Sequence, residues 1–313
     1  MTEQAVKPQA TEQDGTENDG EFVMKAGDLA RVTKMLIGKG GGGNPPFLAM
    51  GFKVNPDNTV KVEHVDGAMR ALGIHSVFKV MAGAPGTIAT NDTLRFLDYV
   101  DTGLFAADSV VSVKGMGGKI IISDADRSVK MSAMPFNAVP RSGMADLYGL
   151  APEASFVSSK PDRRAGPKAW EDWAAKGYLV FKMSMDELSR ILAAGTLAYR
   201  RYRNALYKFT SDGSALTLSI QEARDLTADD IQYGKVEGTL IQPAVSVQFS
   251  FRHDVVEALW SSAKASTSKE AIIVYHPDEV RINVLYGENS EEGQPTLRLT
   301  QTLVTFDKPK AKA

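Results

Sequence analysis

Four groupings in this 313-residue chain combine residue types and spacings that chemistry could use. GKGGGGN at 38–44 joins a glycine run to a lysine, as in loops that cradle phosphate with backbone N–H groups. It lacks the Gly-x-x-x-x-Gly-Lys-Ser/Thr order and follows a helical pattern instead of opening one, so it reads as a loop. Ser261-Ser-Ala-Lys264 has the Ser-x-x-Lys spacing of some acyl-enzymes, but the partner motifs are missing and it reads as the polar end of a helix. Asp124-Ala-Asp126 sets two carboxylates close enough for a cation, yet between two alternating apolar runs it reads as a hairpin turn. His64, His75, His253 and His276 have no metal-ligand spacing and read as surface or strand-end histidines. Zero cysteines exclude disulfides, thiolate metal sites and thiol nucleophiles. No catalytic constellation survives, and the expectation is a protein that is not an enzyme and uses no metal or other cofactor.

The elements around these residues form a recurring order. A short apolar strand, a helix of about three turns and a run of strands occur four times, with little literal identity. The first unit has a strand at Phe22–Lys25, a helix from Asp28 to Leu36 with Asp28 as N-cap, then FLAMGFKV, TVKVEHV and HSVFKVM, with PDN at 56–58 as a turn. The second has a strand at Thr87–Ala89 and a helix from Asp92 to Val100 with Leu94, Leu97 and Val100 on one face. SVVSVKG, GKIIISDAD and SVKMSAM follow. The third opens with YLVFKM and a Ser184–Glu187 capping box. Its helix carries Leu188, Ile191 and Leu192, and ALYKFTSDGSALTLSIQEA and a strand around VEGTL complete it. The fourth has the strictly alternating AVSVQFSF, a helix from His253 to Ala263, and then AIIVYH, EVRINVLYG and TLRLTQTLV.

Composition agrees with a globular protein of two domains: 43% of residues are hydrophobic and 24% charged. Residues 1–20 are polar and acidic and read as a disordered arm; 307–313 read as a disordered basic tail. Residues 21–135 form the first domain and 177–306 the second. The connector, 136–176, is long enough that AWEDWAAK should pack on a surface as a helical turn. No stretch approaches a membrane span and no signal pattern opens the chain, so a cytoplasmic protein is expected, in the host cytoplasm if viral. A net charge of −2 argues against coating nucleic acid by bulk electrostatics.

Two units of strand, helix and strands, fused and then duplicated, are the plan of a sliding-clamp subunit. GGKIIISDADRSVKMSAMP resembles the closing hairpin of the first domain in clamps of T4-type bacteriophages. FKMSMDELSRILAAG followed by LYKFTSDGSALTLSI resembles the opening of their second domain. VQFSFRHDVVEALWSSAKASTSKEAIIVYHPDEVRINVLYGE resembles the closing half of a clamp subunit. The resemblance spans about residues 21 to 306 and extends, more distantly, to proliferating cell nuclear antigen; the long connector, the glycine run and the acidic arm depart from it. It implies an α+β DNA-clamp fold with the helices lining a central hole. It also implies a closed homotrimer that encircles double-stranded DNA without sequence preference, with a DNA polymerase and a clamp loader as partners and a pocket for partner peptides near the connector. A monomeric processivity factor of the same fold and a phage structural or assembly protein are the alternatives.

A clamp of this kind would touch phosphates, because only base-edge contacts carry sequence preference. The resemblance therefore points to basic residues on the four helices: Arg31, Lys34 and Lys39 on the first, Arg95 on the second, Arg190, Arg200, Arg201 and Arg203 on the third, and Arg252 and Lys264 on the fourth. Arg31, Lys34 and Arg190 fall off the apolar stripes. The first and third helix windows each carry net +2, the second −2 and the fourth zero.

Overall fold

The computed structural model describes residues 19–37, 49–65, 72–140, 168–201, 205–222, 231–278, 281–291 and 295–305. The acidic arm up to residue 18, the 38–44 loop with Lys39, connector residues 141–167, Arg203 and the basic tail lie outside them, as does the His64 side chain. The first half runs β1 (Glu21–Lys25), α1 (Ala26–Ile37), β2 (Met50–Val54), β3 (Thr59–Val65), β4 (Leu72–Lys79), β5 (Ala82–Ala84), β6 (Gly86–Thr90), α2 (Thr93–Asp101), β7 (Val110–Met116), β8 (Lys119–Ser123) and β9 (Ser128–Ser132). Helix α3 (Lys168–Ala175) precedes the second half. There follow β10 (Leu179–Ser184), α4 (Met185–Arg201), β11 (Ala205–Asp212), β12 (Leu216–Glu222), β13 (Ile231–Lys235), β14 (Thr239–Leu240), β15 (Ser246–Arg252), α5 (His253–Ala265), β16 (Glu270–Tyr275), β17 (Arg281–Asn289) and β18 (Pro295–Val304).

The turns form where the sequence places them. At PDN, Asp57 Oδ1 accepts from the Thr59 N–H, and Asn58 takes the left-handed conformation (φ 59°) that asparagine tolerates. At DAD, Asp124 Oδ1 accepts from the N–H groups of Asp126 and Arg127. At SDG, Asp212 Oδ1 accepts from Ser214 and Ala215, and these bonds pull its carboxyl down to about 2. Helix starts divide. Asp92 caps α2 by accepting from Arg95 N, and Ser184 Oγ accepts from Glu187 N. Asp28 does not cap α1, which begins at Ala26, directly after β1. Its first N–H groups are satisfied at long range instead, Ala26 by Ser109 O and Gly27 by Ala107 O. Leu94 also departs from expectation: it is exposed, and Phe96 takes its place in the core. The VEGTL strand resolves into a crossing. Val236 N still donates to Leu216 O, but only Thr239–Leu240 pairs, and it pairs with β10 in another sheet.

Pairing cuts across the sequence units. Every described pair is antiparallel, in three sheets ordered β5-β1-β7-β8-β9, β14-β10-β16-β17-β18-β4-β3-β2-β6 and β13-β12-β11-β15. The first strand of each unit is thus exchanged. β1 joins the strands of the second unit and β6 those of the first; β10 and β15 trade places in the same way. The exchange fuses each pair of units around one core, and a single apolar cluster runs through both halves. The two halves meet where β18 pairs with β4, from Leu297↔Phe78 to Leu303↔Leu72.

Helix α1 packs against both α2 and α5, and α5 against α4, so the helices form one layer in the order α2–α1–α5–α4. Helix α3 lies apart from this layer. Its Trp170 is buried with Val180, Ile272, Val274 and Leu285 in a separate small cluster.

Two histidines expected at the surface or at strand ends are buried, His75 within β4 and His253 directly after β15. His253 stacks on Tyr207 (6.0 Å, 7°), with Nδ1 3.2 Å from the Tyr207 hydroxyl. That hydroxyl also donates to Leu192 O and fills the space beside Gly195, where a Cβ would overlap it. Gly195→Ala should therefore displace Tyr207 and cost about 1–3 kcal/mol in a urea unfolding curve. His75, on β4 opposite Thr300 of β18, is pushed down to about 3 by burial and then by the Lys61 charge. A histidine held neutral in the fold contributes nothing above about pH 6.5. Below that the unfolded chain binds a proton that the folded chain refuses, so stability falls toward pH 3 by at most about 1.4 kcal/mol per pH unit. His75→Gln should flatten this acid limb in unfolding curves recorded between about pH 4 and 7.

Candidate functional site

Among the described cations singled out above, Arg31, Lys34 and Arg190 lie off the buried stripes of their helices. On α1 the buried positions Leu29, Val32, Met35 and Leu36 turn toward the strands, leaving Lys34 exposed and Arg31 half-buried. On α4, Leu188, Ile191 and Leu192 are buried and Arg190 is exposed. β1 ends one residue before α1 and β10 one residue before α4, which makes Arg31 and Arg190 equivalent, each the sixth residue of its helix.

Four of the described cations, Arg31, Lys34, Arg95 and Arg190, are held by carboxylates of the same chain. Arg31 Nη1 donates to Glu288 Oε2, and Arg31 Nη2 lies 3.2 Å from Asp28 Oδ1. Lys34 Nζ lies 2.6 Å from Asp101 Oδ1, tying α1 to α2. Arg95 Nε reaches its own cap, Asp92 Oδ2, at 3.5 Å. Arg190 Nη2 sits between Glu187 Oε2 at 3.0 Å and Glu237 Oε2 at 2.8 Å, and the Glu237 hydrogen bond leads in holding its charge more firmly than usual. Arg252 is exposed as the N-cap residue of α5, and Lys264 is exposed in the last turn of that helix. Arg200 and Arg201 end α4, with side chains outside the described set.

Two of the carboxylates are buried, and each organises neutral donors as well as its cation. Glu288 also accepts from Thr267 N (2.7 Å) and Ser266 Oγ (3.2 Å). Glu187 accepts from Glu237 N (2.9 Å) and from the Tyr233 hydroxyl (3.1 Å), whose pKa burial and then the Glu187 charge push up to about 12. Sequence reasoning placed Glu187 in a capping box, where its side chain would reach back to the start of its own helix. It reaches across to β13 and the segment after it instead. Glu288 gave no local signal, because its partners lie 257 and about 21 residues away.

A second feature of this region is a cleft of ≈ 430 Å³ at the β4–β18 seam, lined in part by Met24, Arg31, Phe78, Met81, Glu288 and Leu297. It opens at the end of the seam away from α3, which enters β10 beside Tyr275 at the other ends of these strands. Among the described residues no group of three or more His, Asp or Glu is arranged to hold a metal ion, and no helix is long and apolar enough to cross a membrane.

No family model matches the chain, and no curated protein matches its sequence. Solved structures do match. Proliferating cellular nuclear antigen from Entamoeba histolytica superposes with a TM-score of 0.58 over 93% of this chain and 100% of its own, at 8% identity. A putative DNA polymerase III beta subunit from Eubacterium rectale superposes with a TM-score of 0.56 over 97% of this chain and 68% of its own, at 12% identity. The chain has the sliding-clamp fold. In a clamp-fold subunit the exchanged strands and the four-helix layer described above are the architecture itself, which explains why structure matches where sequence does not.

The Arg31–Glu288 contact joins the two halves of the clamp fold, since α1 and β17 belong to different halves. Glu288→Ala strands three donors at once and should cost about 1–3 kcal/mol in urea unfolding, while Glu288→Gln, which keeps an acceptor oxygen, should lose less.

Proposed function

We propose that the protein is a DNA sliding clamp: a ring that encircles duplex DNA without reading its sequence, tethers a replicative DNA polymerase and is opened by a separate clamp loader. It acts without catalysis of its own, in the cytoplasm, and in the host cytoplasm if its source is a bacteriophage. The candidate DNA-facing groups remain the helix cations, Arg31, Lys34, Arg95, Arg190, Arg252 and Lys264, with Lys39, Arg200, Arg201 and Arg203. The protein's chain is divided into a first clamp domain over 21–135, a connector over 136–176 and a second clamp domain over 177–306.

The observation that carries the ring is that, of the sheet edges among the described strands, two match the strands that pair at the internal seam. β18 ends the group β10-β16-β17-β18, and it finds its partner in β4, which begins β4-β3-β2-β6. By the same repeat, β9 ends β1-β7-β8-β9, and β13 begins β13-β12-β11-β15, but both are sheet edges. Laying β9 of one copy against β13 of the next repeats the internal seam between subunits. The helices follow, with α2 meeting the next copy's α4 as α5 meets α1 within the chain. Such an interface is head-to-tail, and it closes into a ring when the rotation per subunit divides a full turn. Without it, two exposed edges would be free to pair with any strand they met. Three copies is the number that the resemblance to two-domain clamps implies. A monomer that grips DNA through a basic face is the poorer reading, since the described cations on α1, α2 and α4 already have carboxylate partners.

Sedimentation of the purified chain should give three times the 33.8 kDa subunit mass, and negative-stain images should show rings. Val129→Asp on β9 and Ile231→Asp on β13, each half-buried at an open edge, should yield folded monomers by circular dichroism and sedimentation. A wild-type chain that stays monomeric at micromolar concentration would sink the ring.

A further inference from the structure

The ion pairs of the helix layer differ in what holds the cation. Arg31 and Arg190 each have one buried carboxylate partner, Glu288 and Glu187, and one exposed partner, Asp28 and Glu237. Lys34 has only the exposed Asp101, with the two side chains 45% and 40% accessible. The buried acids serve structure, because each also satisfies backbone and side-chain donors. The exposed acids have no such duty in the bonds described: they contact the cations at the solvent-facing surface and little else.

We propose that Asp28, Asp101 and Glu237 are mobility-setting residues: carboxylates that stand in for DNA phosphates and keep the helix layer from gripping the duplex. This rests on the clamp reading above. An ammonium or guanidinium that turns toward a phosphate weakens its bond to the carboxylate, and that negative charge stays close to the polyanion. The exposed pairs are weak in water, so exchange is ready, but the gain from the phosphate is largely cancelled. The potential along the DNA is thereby flattened. Retention falls to the closed ring, and the duplex passes through without deep wells at each phosphate. The arrangement also explains why the helix windows of highest net charge, those of α1 and α4, are the ones with an added exposed acid beside a buried one.

The test uses the full chain with Asp28→Asn, Asp101→Asn and Glu237→Gln, singly and together, none of which removes a cation or a buried carboxylate. Fluorescently labelled protein is mixed with linear duplex, the ends are then blocked with streptavidin, and one-dimensional diffusion is followed on stretched molecules. The triple variant should diffuse several-fold more slowly than wild type and recover as salt rises from about 50 to 200 mM. Its binding to open-ended duplex should gain a salt slope of about 0.9 per freed cation. Lys34→Ala added to Asp101→Asn should restore the mobility lost in Asp101→Asn alone. Diffusion and salt slope equal to wild type in a folded triple variant would overturn the proposal. Failure of wild type to remain on end-blocked duplex would instead overturn the clamp reading, so the two failures are separate.

Discussion

The pairing of β18 with β4 is the constraint on which the rest of the molecule depends. It makes one nine-stranded sheet from strands of two halves, and brings α1 and α5, more than 200 residues apart in the chain, into contact. Behind it runs a buried polar chain. The Tyr286 hydroxyl donates to Gln301 Oε1 (2.9 Å), Gln301 Nε2 donates to Ser262 Oγ (2.9 Å), and Ser262 Oγ donates to the Met35 carbonyl (2.6 Å). Burial raises the Tyr286 pKa, so the phenol stays protonated and keeps donating. Every link comes from a different element, with the last one on α1, and a one-residue slip of β18 would turn Gln301 to the other face and leave several buried groups unpaired. Apolar packing alone would tolerate small shifts between the halves; this chain of donors does not.

The exchanged strands explain why such a seam is needed. A unit of one strand, one helix and three strands cannot cover its own helix, because its first strand has left for the neighbouring unit. Two units therefore fold together or not at all, with Phe22 of β1 lying against Phe52 and Phe78 of the partner sheet at 5.5 and 6.1 Å. In the second half Phe249 of β15 plays the same part, lying against Tyr275 of the facing sheet at 4.6 Å. Each half then ends in two sheet edges, and the fold's remaining freedom is how those edges are used.

Local chemistry was legible in the sequence and long-range chemistry was not. Alternation in VSVQFSF, the turns at PDN, DAD and SDG, and the Ser184 cap all act within a few residues, and the structure forms them where they stand. The α1 start eluded the pattern because Ser109 and Ala107 carbonyls do the work of a cap from 80 residues away. Leu94 was assigned to the core because apolar spacing cannot distinguish it from Phe96 on a helix of nine residues. His75 and His253 carry no sign of burial in their neighbours; β18 buries the one and Tyr207 stacks on the other. The order of four units was readable, but the exchange of first strands was not, since nothing in β1 or β6 names a partner.

The functional face shows the same division, with a physical consequence. Counting charges along α1 and α4 finds a surplus of cations, which suggests adhesion to a polyanion. Among the described residues part of that surplus is already matched: Glu288, Glu187 and three exposed carboxylates sit on Arg31, Lys34 and Arg190. Adhesion and mobility are opposed demands, because every phosphate contact that strengthens binding deepens a well that must be left at the next step. A protein held on DNA by closure has no need of deep wells, whereas one held by affinity cannot do without them. On the clamp reading proposed above, the matching sheet edges β9 and β13 and the carboxylate-paired Arg31, Lys34 and Arg190 would be two parts of one solution, in which geometry supplies the retention that electrostatics withholds.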